Sequence, residues 1–315
     1  MKSALVTGAN GQDGILLSRY LLTLGYKVHG TVRGVDRAVE KGVQRHVITE
    51  ATLNVWEELM AEVAPDEIYL LGADSFAGMP LNGVSQMLES NVMLMAHQLE
   101  AASRSVPGAR VFAAGSAAVF GDPGSLPQTE TTPRLPTSLY GSCKALLHPL
   151  ADLGRRSGQF VSIGMLFNHE SPLRPERFVT RKITSTAARI AAGSMEKLKL
   201  GNLDVVRDWG HAEDYVKAMH LILQAREADD WVIATGEGHT VREFCQMVFE
   251  LLGLNYLDHV LSVPEFWRPA EKVPLIGDSS RLMTQLGWRR EKSFTVLVEE
   301  MVAHDVRLAG SGHQA

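Results

Sequence analysis

Apolar residues recur with two different rhythms along the first half of the chain, and the rhythms alternate. Ser3-Ala4-Leu5-Val6-Thr7 is a short apolar run that stops at a glycine, and the segment after it carries Ile15, Leu16, Tyr20, Leu21 and Leu22 at helical spacing. Gly25 ends that helix and Lys27 to Val32 reads as a second strand, so the chain opens on a βαβ unit. Further strands are predicted near 45–48, 67–72, 109–115 and 160–166, with helices near 53–63, 88–105 and 140–157 between them. Strict alternation of this kind predicts an α/β fold, a doubly wound parallel sheet with helices on both faces. Past residue 168 the rhythm breaks. A loop (Ser171 to Arg177) and a helix near 179–192 are followed by short strands and helices near 211–225, 240–252 and 293–305. No internal repeat or low-complexity linker separates the halves, so the second is expected to be a smaller C-terminal lobe packed on the sheet's carboxyl edge.

Composition narrows the function classes. The 315 residues are 45% hydrophobic and 21% charged, which fits a globular chain rather than a disordered or fibrous one. Lys and Arg total 31 against 36 Asp and Glu, and the basic residues are spread along the chain, so neither nucleic acid nor an anionic membrane is an expected partner. The two cysteines, Cys143 and Cys245, lie far apart in helical segments, which predicts no disulfide framework and no metal site. No apolar run reaches the roughly 18 residues of a membrane span. A cytoplasmic protein is expected.

Gly8, Gly11 and Gly14 form GxxGxxG in Thr7-Gly-Ala-Asn-Gly-Gln-Asp-Gly14, between the first strand and the first helix. Glycines there let the backbone turn sharply and approach a pyrophosphate, whose charge is stabilised by free N–H groups at the helix N-terminus. Gln12 and Asp13 of the same loop are candidate cofactor contacts. After the second strand no Asp or Glu stands ready to accept from ribose hydroxyls; Arg33 stands there instead, and a guanidinium suits a 2′-phosphate. NADP is therefore expected over NAD, the alternative for Arg33 being a solvated surface charge. Downstream, Tyr140-Gly-Ser-Cys-Lys144 puts a phenol and an ammonium on one helical face. An ammonium there would stabilise phenolate and lower the tyrosine's pKa, fitting it for proton exchange with a hydroxyl or ketone during hydride transfer. With Ser116 at the end of a strand, this set resembles the Ser/Thr, Tyr, Lys set of extended short-chain dehydrogenase/reductases.

Over nearly its whole length the chain resembles one branch of that group, the GDP-mannose 4,6-dehydratases. The resemblance is carried by Thr7 to Gly14, Pro65-Asp-Glu-Ile-Tyr69, Leu166-Phe-Asn-His-Glu-Ser-Pro172, Phe178-Val-Thr-Arg-Lys-Ile-Thr184, Leu200-Gly-Asn-Leu-Asp204, Arg207-Asp-Trp-Gly-His211, Ile233-Ala-Thr-Gly-Glu237 and Val241-Arg-Glu-Phe244. It implies a Rossmann-type NADP-binding domain over 1–167, completed by a segment near 211–236, and a lobe over 168–315 that mainly holds a GDP-sugar. It also implies that Asn168, Lys182, Arg207, Arg268 and Glu271 surround the GDP moiety. The three cations can neutralise a diphosphate and the carboxylate can accept from ribose hydroxyls.

The sequence departs from that branch at several points. Where the dehydratases carry Thr-Ser-Glu, this chain has Ser116-Ala117-Ala118, so a methyl group stands in place of the base and acid needed to eliminate water across C5 and C6. Ser116 to Gly121 instead resembles the Ser-Ala-Ala-Val-Tyr-Gly stretch of nucleotide-sugar 4-epimerases. The segment between Arg33 and His46 is much shorter than in the dehydratases, whose longer loop reaches a neighbouring subunit's cofactor site; a homodimer is expected in place of a tetramer. Thr49 aligns with the family Asp near the adenine, and Asp74 replaces a family Gln. These departures lead to the expectation of an NADP(H)-dependent enzyme working by hydride transfer at C4 of a GDP-hexose or GDP-4-ketohexose, as reductase or epimerase. In this reading Tyr140 is the acid/base, Lys144 lowers its pKa and Ser116 binds the C4 oxygen. Two alternatives stay open. One is a 4,6-dehydratase with another base, His169 or Glu170 first among candidates; the other is a non-catalytic paralogue that only binds cofactor and sugar nucleotide.

Overall fold

The computed structural model describes residues 1–74, 83–266 and 274–311. Its centre is a seven-stranded sheet. β1 (Ser3–Thr7) lies in the middle, with β2 (Lys27–Val32) and β3 (Gln44–Val47) on one side and β4 (Glu67–Leu70), β5 (Arg110–Ala114) and β6 (Val161–Leu166) on the other. The chain leaves this sheet through β7 (Asn168–Glu170), β8 (Leu198–Leu200) and β9 (Val206–His211), then returns as β10 (Asp230–Ile233) beside β6. Every pairing within the seven strands is parallel. The order 3-2-1-4-5-6-10 is the doubly wound, Rossmann-type arrangement that the alternation predicts.

Side chains alternate across each strand, and this divides the core. Ala4 and Val6 face α1 (Gln12–Thr23), packing with Leu17, Leu21 and residues such as Met219 and Ile222 from further along the chain. Leu5 faces the other way, into a cluster with Trp56 and Met60 of α2 (Leu53–Val63). Beyond α3 (Val84–Leu88), that cluster continues through Leu99 of α4 (Leu94–Ser105) and Leu147 of α5 (Leu139–Arg156). Full burial of a Leu or Met side chain contributes about 1.5–3 kcal/mol, so the two faces dominate the stability of this half.

The second lobe has its own core. α6 (Val179–Ala191) follows β7, α7 (Ala212–Leu223) packs back on the large sheet, and β11 (Gly238–Thr240) pairs antiparallel with β9. α8 (Val241–Leu251), β12 (Val260–Ser262), α9 (Ser280–Leu286) and α10 (Phe294–Ser311) complete the described elements. Ile183, Trp209, Phe244, Phe249, Leu297 and Met301 are buried together where α6, α8 and α10 meet β9. No helix among the described residues is long and apolar enough to cross a membrane.

Three elements differ from the pattern's boundaries. The strand expected to reach residue 72 stops at Leu70, because the Leu71 and Gly72 amides both donate to Thr7 Oγ1 at 3.0 Å instead of continuing the ladder. The helix expected over 88–105 begins at Val84 and contains a π-helical turn, Glu89–Met93. There Ser90 Oγ donates to the Gln86 carbonyl (2.8 Å) and Asn91 Nδ2 to that of Met87 (3.2 Å), side chains competing for main-chain acceptors. The last helix runs to Ser311 rather than ending near 305.

Candidate active site

The strand order reverses between β1 and β4, and the carboxyl ends of the strands at such a switch point are where a doubly wound sheet binds its ligands. Gly8 has φ +68°, a conformation costly for any side chain, and a Cβ on it would come within 3.0 Å of Gly72 Cα. A Cβ on Gly14 would lie 2.3 Å from the Gly8 carbonyl oxygen, so only glycine lets α1 start this close to the turn. Gly11 is the N-cap and supplies no capping side chain, which leaves the first-turn amides of α1 for an anionic ligand. This backbone fits a dinucleotide pyrophosphate. Arg33 is exposed one residue past β2, and Thr49 is exposed past β3.

Ser116 follows β5 and opens a short 3₁₀ turn, Ala117–Val119, in which the Ala118 amide donates to Ser116 Oγ at 3.2 Å. That bond leaves the Ser116 proton for another acceptor, and Ser116 is near enough to Tyr140 to favour its phenolate. Tyr140 stands in the first turn of α5, whose N-cap Ser138 accepts from the Gly141 amide at 3.0 Å. Glycine at 141 is required by the same junction, since a Cβ there would meet the Ala118 carbonyl oxygen at 2.4 Å. Ser116, Ala118 and Tyr140 are therefore brought together by direct backbone packing of the 3₁₀ turn on α5.

Lys144 is also there, but its electrostatic role differs from the one its spacing suggests. Its ammonium donates to the Ala114 carbonyl (2.8 Å) and lies 5.8 Å from the centroid of the Tyr140 ring. Burial lowers its pKa to about 8. The Tyr140 phenol is raised above the ordinary tyrosine value, the reverse of the expected lowering. Burial is the main cause; Ser116's hydrogen bond and the Arg174 charge oppose it, while Asp13 and Asp74 reinforce it.

Arg174 is the residue that sequence reasoning missed. It sits in the connection 171–178, with its guanidinium 3.0 Å from Glu170 Oε2 and stacked 3.6 Å from the centroid of the Phe178 ring. The only signal in the sequence was its place inside a stretch already marked as a loop. Its neighbours His169 and Glu170 are committed. His169 Nδ1 bonds the Phe167 carbonyl at 2.8 Å and Nε2 bonds Asp13 at 2.9 Å, which needs a proton on both nitrogens. Burial opposes that charge, but Asp13 outweighs it and the His169 pKa is raised; burial likewise opposes ionisation of Asp13, and His169 holds it below the usual carboxylate value. Glu170 accepts from Thr180 Oγ1 at 2.7 Å and pairs with Arg174. Neither side chain presents an unengaged base. Gln12 closes the same corner, donating to the His169 carbonyl (3.0 Å) and accepting from Ser171 Oγ (2.9 Å).

On the lobe side, Asn168 is exposed on β7. Lys182 on α6 donates to the Lys199 carbonyl (2.8 Å), lies 5.0 Å from the centroid of the Phe266 ring and has its pKa lowered by burial. Arg207 is partly buried on β9 and donates to the Val206 carbonyl at 2.9 Å. Arg268 and Glu271 lie outside the described residues. Asp74 is partly buried beyond β4.

A family model described as GDP-mannose 4,6 dehydratase matches residues 5–301. The chain belongs to this family. It is 39% identical over 338 residues to GDP-mannose 4,6 dehydratase 2 of Arabidopsis thaliana, covering 98% of this chain and 88% of that protein. Among solved structures, it superposes on a UDP-glucose 4-epimerase of Thermotoga maritima with a TM-score of 0.88 at 19% identity, over 97% of this chain and 99% of that one. It also superposes on the RMD protein of Pseudomonas aeruginosa, complexed with NADPH, with a TM-score of 0.80 at 20% identity, over 98% and 100% of the chains. Family membership restores dehydration to equal standing with reduction and epimerisation, against the lower rank that Ala118 alone had given it.

Proposed function

We propose that this protein is an NADP(H)-dependent nucleotide-sugar enzyme of the short-chain dehydrogenase/reductase type, which works by hydride transfer at C4 of a GDP-hexose or GDP-4-ketohexose. The observation that carries this reading is the convergence of Ser116, Tyr140 and Lys144 beside a glycine loop shaped for a pyrophosphate. Residues 1–167, with a segment near 211–236, make the cofactor domain, and 168–315 mainly make the sugar-nucleotide lobe. Asn168, Lys182 and Arg207 support binding of the GDP moiety there, and the family's name supports GDP-mannose as the first substrate to try. Arg33, exposed past β2, supports recognition of a 2′-phosphate.

In oxidation, the Tyr140 oxygen takes the proton of the C4 hydroxyl while Ser116 donates a hydrogen bond to the same oxygen. The C4–H bond breaks with its electron pair, and C4=O forms. The nicotinamide ring supplies the hydride acceptor, and in its reduced form the donor. Reduction runs the same proton path backwards, with Tyr140 giving its proton to the C4 oxygen. Lys144, bonded to the end of β5, holds the floor of the site under the tyrosine ring.

Two endings have support. Ala118, which offers no acid or base, supports hydride chemistry at C4 without elimination: return of the hydride to C4 as an epimerase, or its delivery from NADPH to a GDP-4-ketohexose as a reductase. The family to which the chain belongs supports elimination of water to a 4-keto-6-deoxy sugar, with a base other than Ala118. Incubation with NADP and GDP-mannose, read by mass spectrometry, separates them: a loss of water means elimination, and an isobaric new sugar means epimerisation. A 4-ketosugar reduced by NADPH, with GDP-mannose itself untouched, means a reductase. No change to any GDP-hexose or GDP-4-ketohexose, with both ligands bound, would leave the non-catalytic paralogue.

A further inference from the structure

Residues 33–43, between β2 and β3, form no strand or helix, yet they are held on three sides. Inward, Val39 and Val43 pack on the core that contains Ala9 of the glycine loop, and a Cβ on Gly30 of β2 would meet Ala9 Cβ at 2.6 Å and Val43 Cγ1 at 2.8 Å. The Ala9 amide donates to the Thr31 carbonyl at 3.0 Å, so this segment borders the turn that fits a pyrophosphate. Toward α1, Glu40 accepts from Arg19 Nε at 2.7 Å. Toward β3, Arg45 Nη1 donates to the carbonyls of Val35 (2.7 Å) and Arg37 (3.3 Å).

Between those ties the chain reverses. The Arg37 amide donates to the Gly34 carbonyl at 3.2 Å, which closes a β-turn from Gly34 to Arg37 and brings Arg37 back to the end of β2. Arg37 Cγ lies 3.6 Å from where a Cβ on Gly34 would stand, so the arginine stem packs over the residue next to Arg33. Both arginines are exposed, and among the described residues neither guanidinium has a hydrogen bond or an ion pair, not even with Asp36, the exposed carboxylate at the tip of the turn. Arg19 and Arg45, packed beside them, are both engaged. The end of the second strand of a doubly wound sheet is where the ribose 2′ position of a bound dinucleotide is read. A phosphate there carries more negative charge and more acceptor oxygens than one guanidinium matches.

We propose that Arg37 is a second cofactor-specificity residue: folded back by the Gly34–Arg37 turn, it grips the 2′-phosphate of NADP together with Arg33. This rests on the reading of the glycine loop as a dinucleotide site and of Arg33 as its 2′-phosphate contact. The bonds from Arg45 fix the main chain of the turn before any ligand arrives, so little ordering is lost on binding.

Calorimetric titration of the full-length protein tests the assignment, with NADP against NAD and with 2′,5′-ADP against 5′-AMP, probes that differ only by the 2′-phosphate. The proteins compared are wild type, Arg33→Ala, Arg37→Ala, Arg37→Lys and Lys41→Ala; every substituted side chain is exposed, and melting curves verify folding. Arg37→Ala should weaken NADP and 2′,5′-ADP about tenfold while NAD and 5′-AMP change less than about twofold. Arg37→Lys, which keeps the charge but not the planar fork, should recover part of that loss. Lys41→Ala removes a cation of the same segment outside the turn and should leave the ratio of NADP to NAD affinity within about twofold of wild type. An Arg37→Ala protein with the wild-type ratio, or a loss in Lys41→Ala as large as that in Arg37→Ala, overturns the proposal, and a lowered ratio in Arg33→Ala then leaves the cofactor reading standing. A wild type that binds NAD as tightly as NADP overturns that reading and the proposal with it.

Discussion

The glycine loop between β1 and α1 and the connection 171–178 between β7 and α6 meet in the crevice at Gln12 and His169, and they are held in shape by opposite means. The glycine loop is fixed by what its residues lack. Gly8 takes a left-handed turn against the backbone of Gly72, and Gly14 lets α1 crowd the Gly8 carbonyl. The 171–178 connection is fixed by what distant residues supply: Asp305 through Arg181, and Gln12 through Ser171. The first arrangement is steric and tolerates no added atom. The second is a network in which the loss of one partner leaves buried polar groups unsatisfied.

The largest expected effect bears on the proposed acid/base group. Tyr140→Phe keeps the ring but removes the proton-exchanging hydroxyl, so hydride transfer should fall by about 10² to 10⁴ while the sugar nucleotide still binds. Product formation read by mass spectrometry, together with a binding titration, checks this, and near-normal turnover would sink the assignment. Ala118→Glu tests the ending at the same site: if only the missing carboxylate prevents elimination, the variant should gain some 4-keto-6-deoxy product, and partial recovery suffices because nothing nearby was selected to orient that group. Efficient water loss by the unmodified protein would show that another group supplies the base.

Gly14→Ala breaks the local region. The added methyl meets backbone at 2.3 Å, which should cost about 1–3 kcal/mol and weaken binding of NADP and NAD alike. Arg33→Ala should weaken NADP about tenfold to a hundredfold with little change for NAD, as expected for one charge-assisted contact to a 2′-phosphate. Equal losses for both cofactors would make Arg33 a surface charge. The smallest effect concerns acid at the sheet edge. His29 Nδ1 lies 2.9 Å from His46 Nε2, and burial lowers both, His29 to about 4. Because the unfolded histidine takes its proton near the ordinary value of about 6.5, the neutral pair stabilises the fold fully above that pH. The contribution, on the order of 1–3 kcal/mol, is lost as pH falls from there through about 4. Denaturant melts between pH 7 and 4 should show this decline, and His29→Phe should flatten it.

Where the sequence was legible, the reason is periodicity or local sterics. Alternating strand and helix patterns predicted the strands β1 to β6 and a parallel, doubly wound sheet, because βα alternation with right-handed crossovers leaves few other arrangements; the strand order itself came from the structure. The glycine spacing and the Tyr140–Lys144 spacing each mark one backbone feature and one helical face. The electrostatics were not legible: spacing puts Lys144 beside Tyr140, but the burial that raises the phenol's pKa and the direction of the ammonium, toward Ala114, follow only from the fold.

By itself, then, the sequence determined the doubly wound sheet and the glycine turn, and it marked Ser116, Tyr140 and Lys144 as candidates. The sheet follows from a repeating pattern, and the turn and the Tyr140–Lys144 spacing from residues near in the chain, whereas Ser116 meets α5 only through packing of the 3₁₀ turn against Gly141. Only the tertiary structure decided that His169 and Glu170 are engaged within the fold, His169 with Asp13 and Glu170 with Thr180 and Arg174. It alone brought Asp305 into reach of the active-site loop, 124 residues from Arg181. Such contacts follow from how separate elements pack, and a charge acts through space on whatever folding brings near it, with no trace in the spacing of letters.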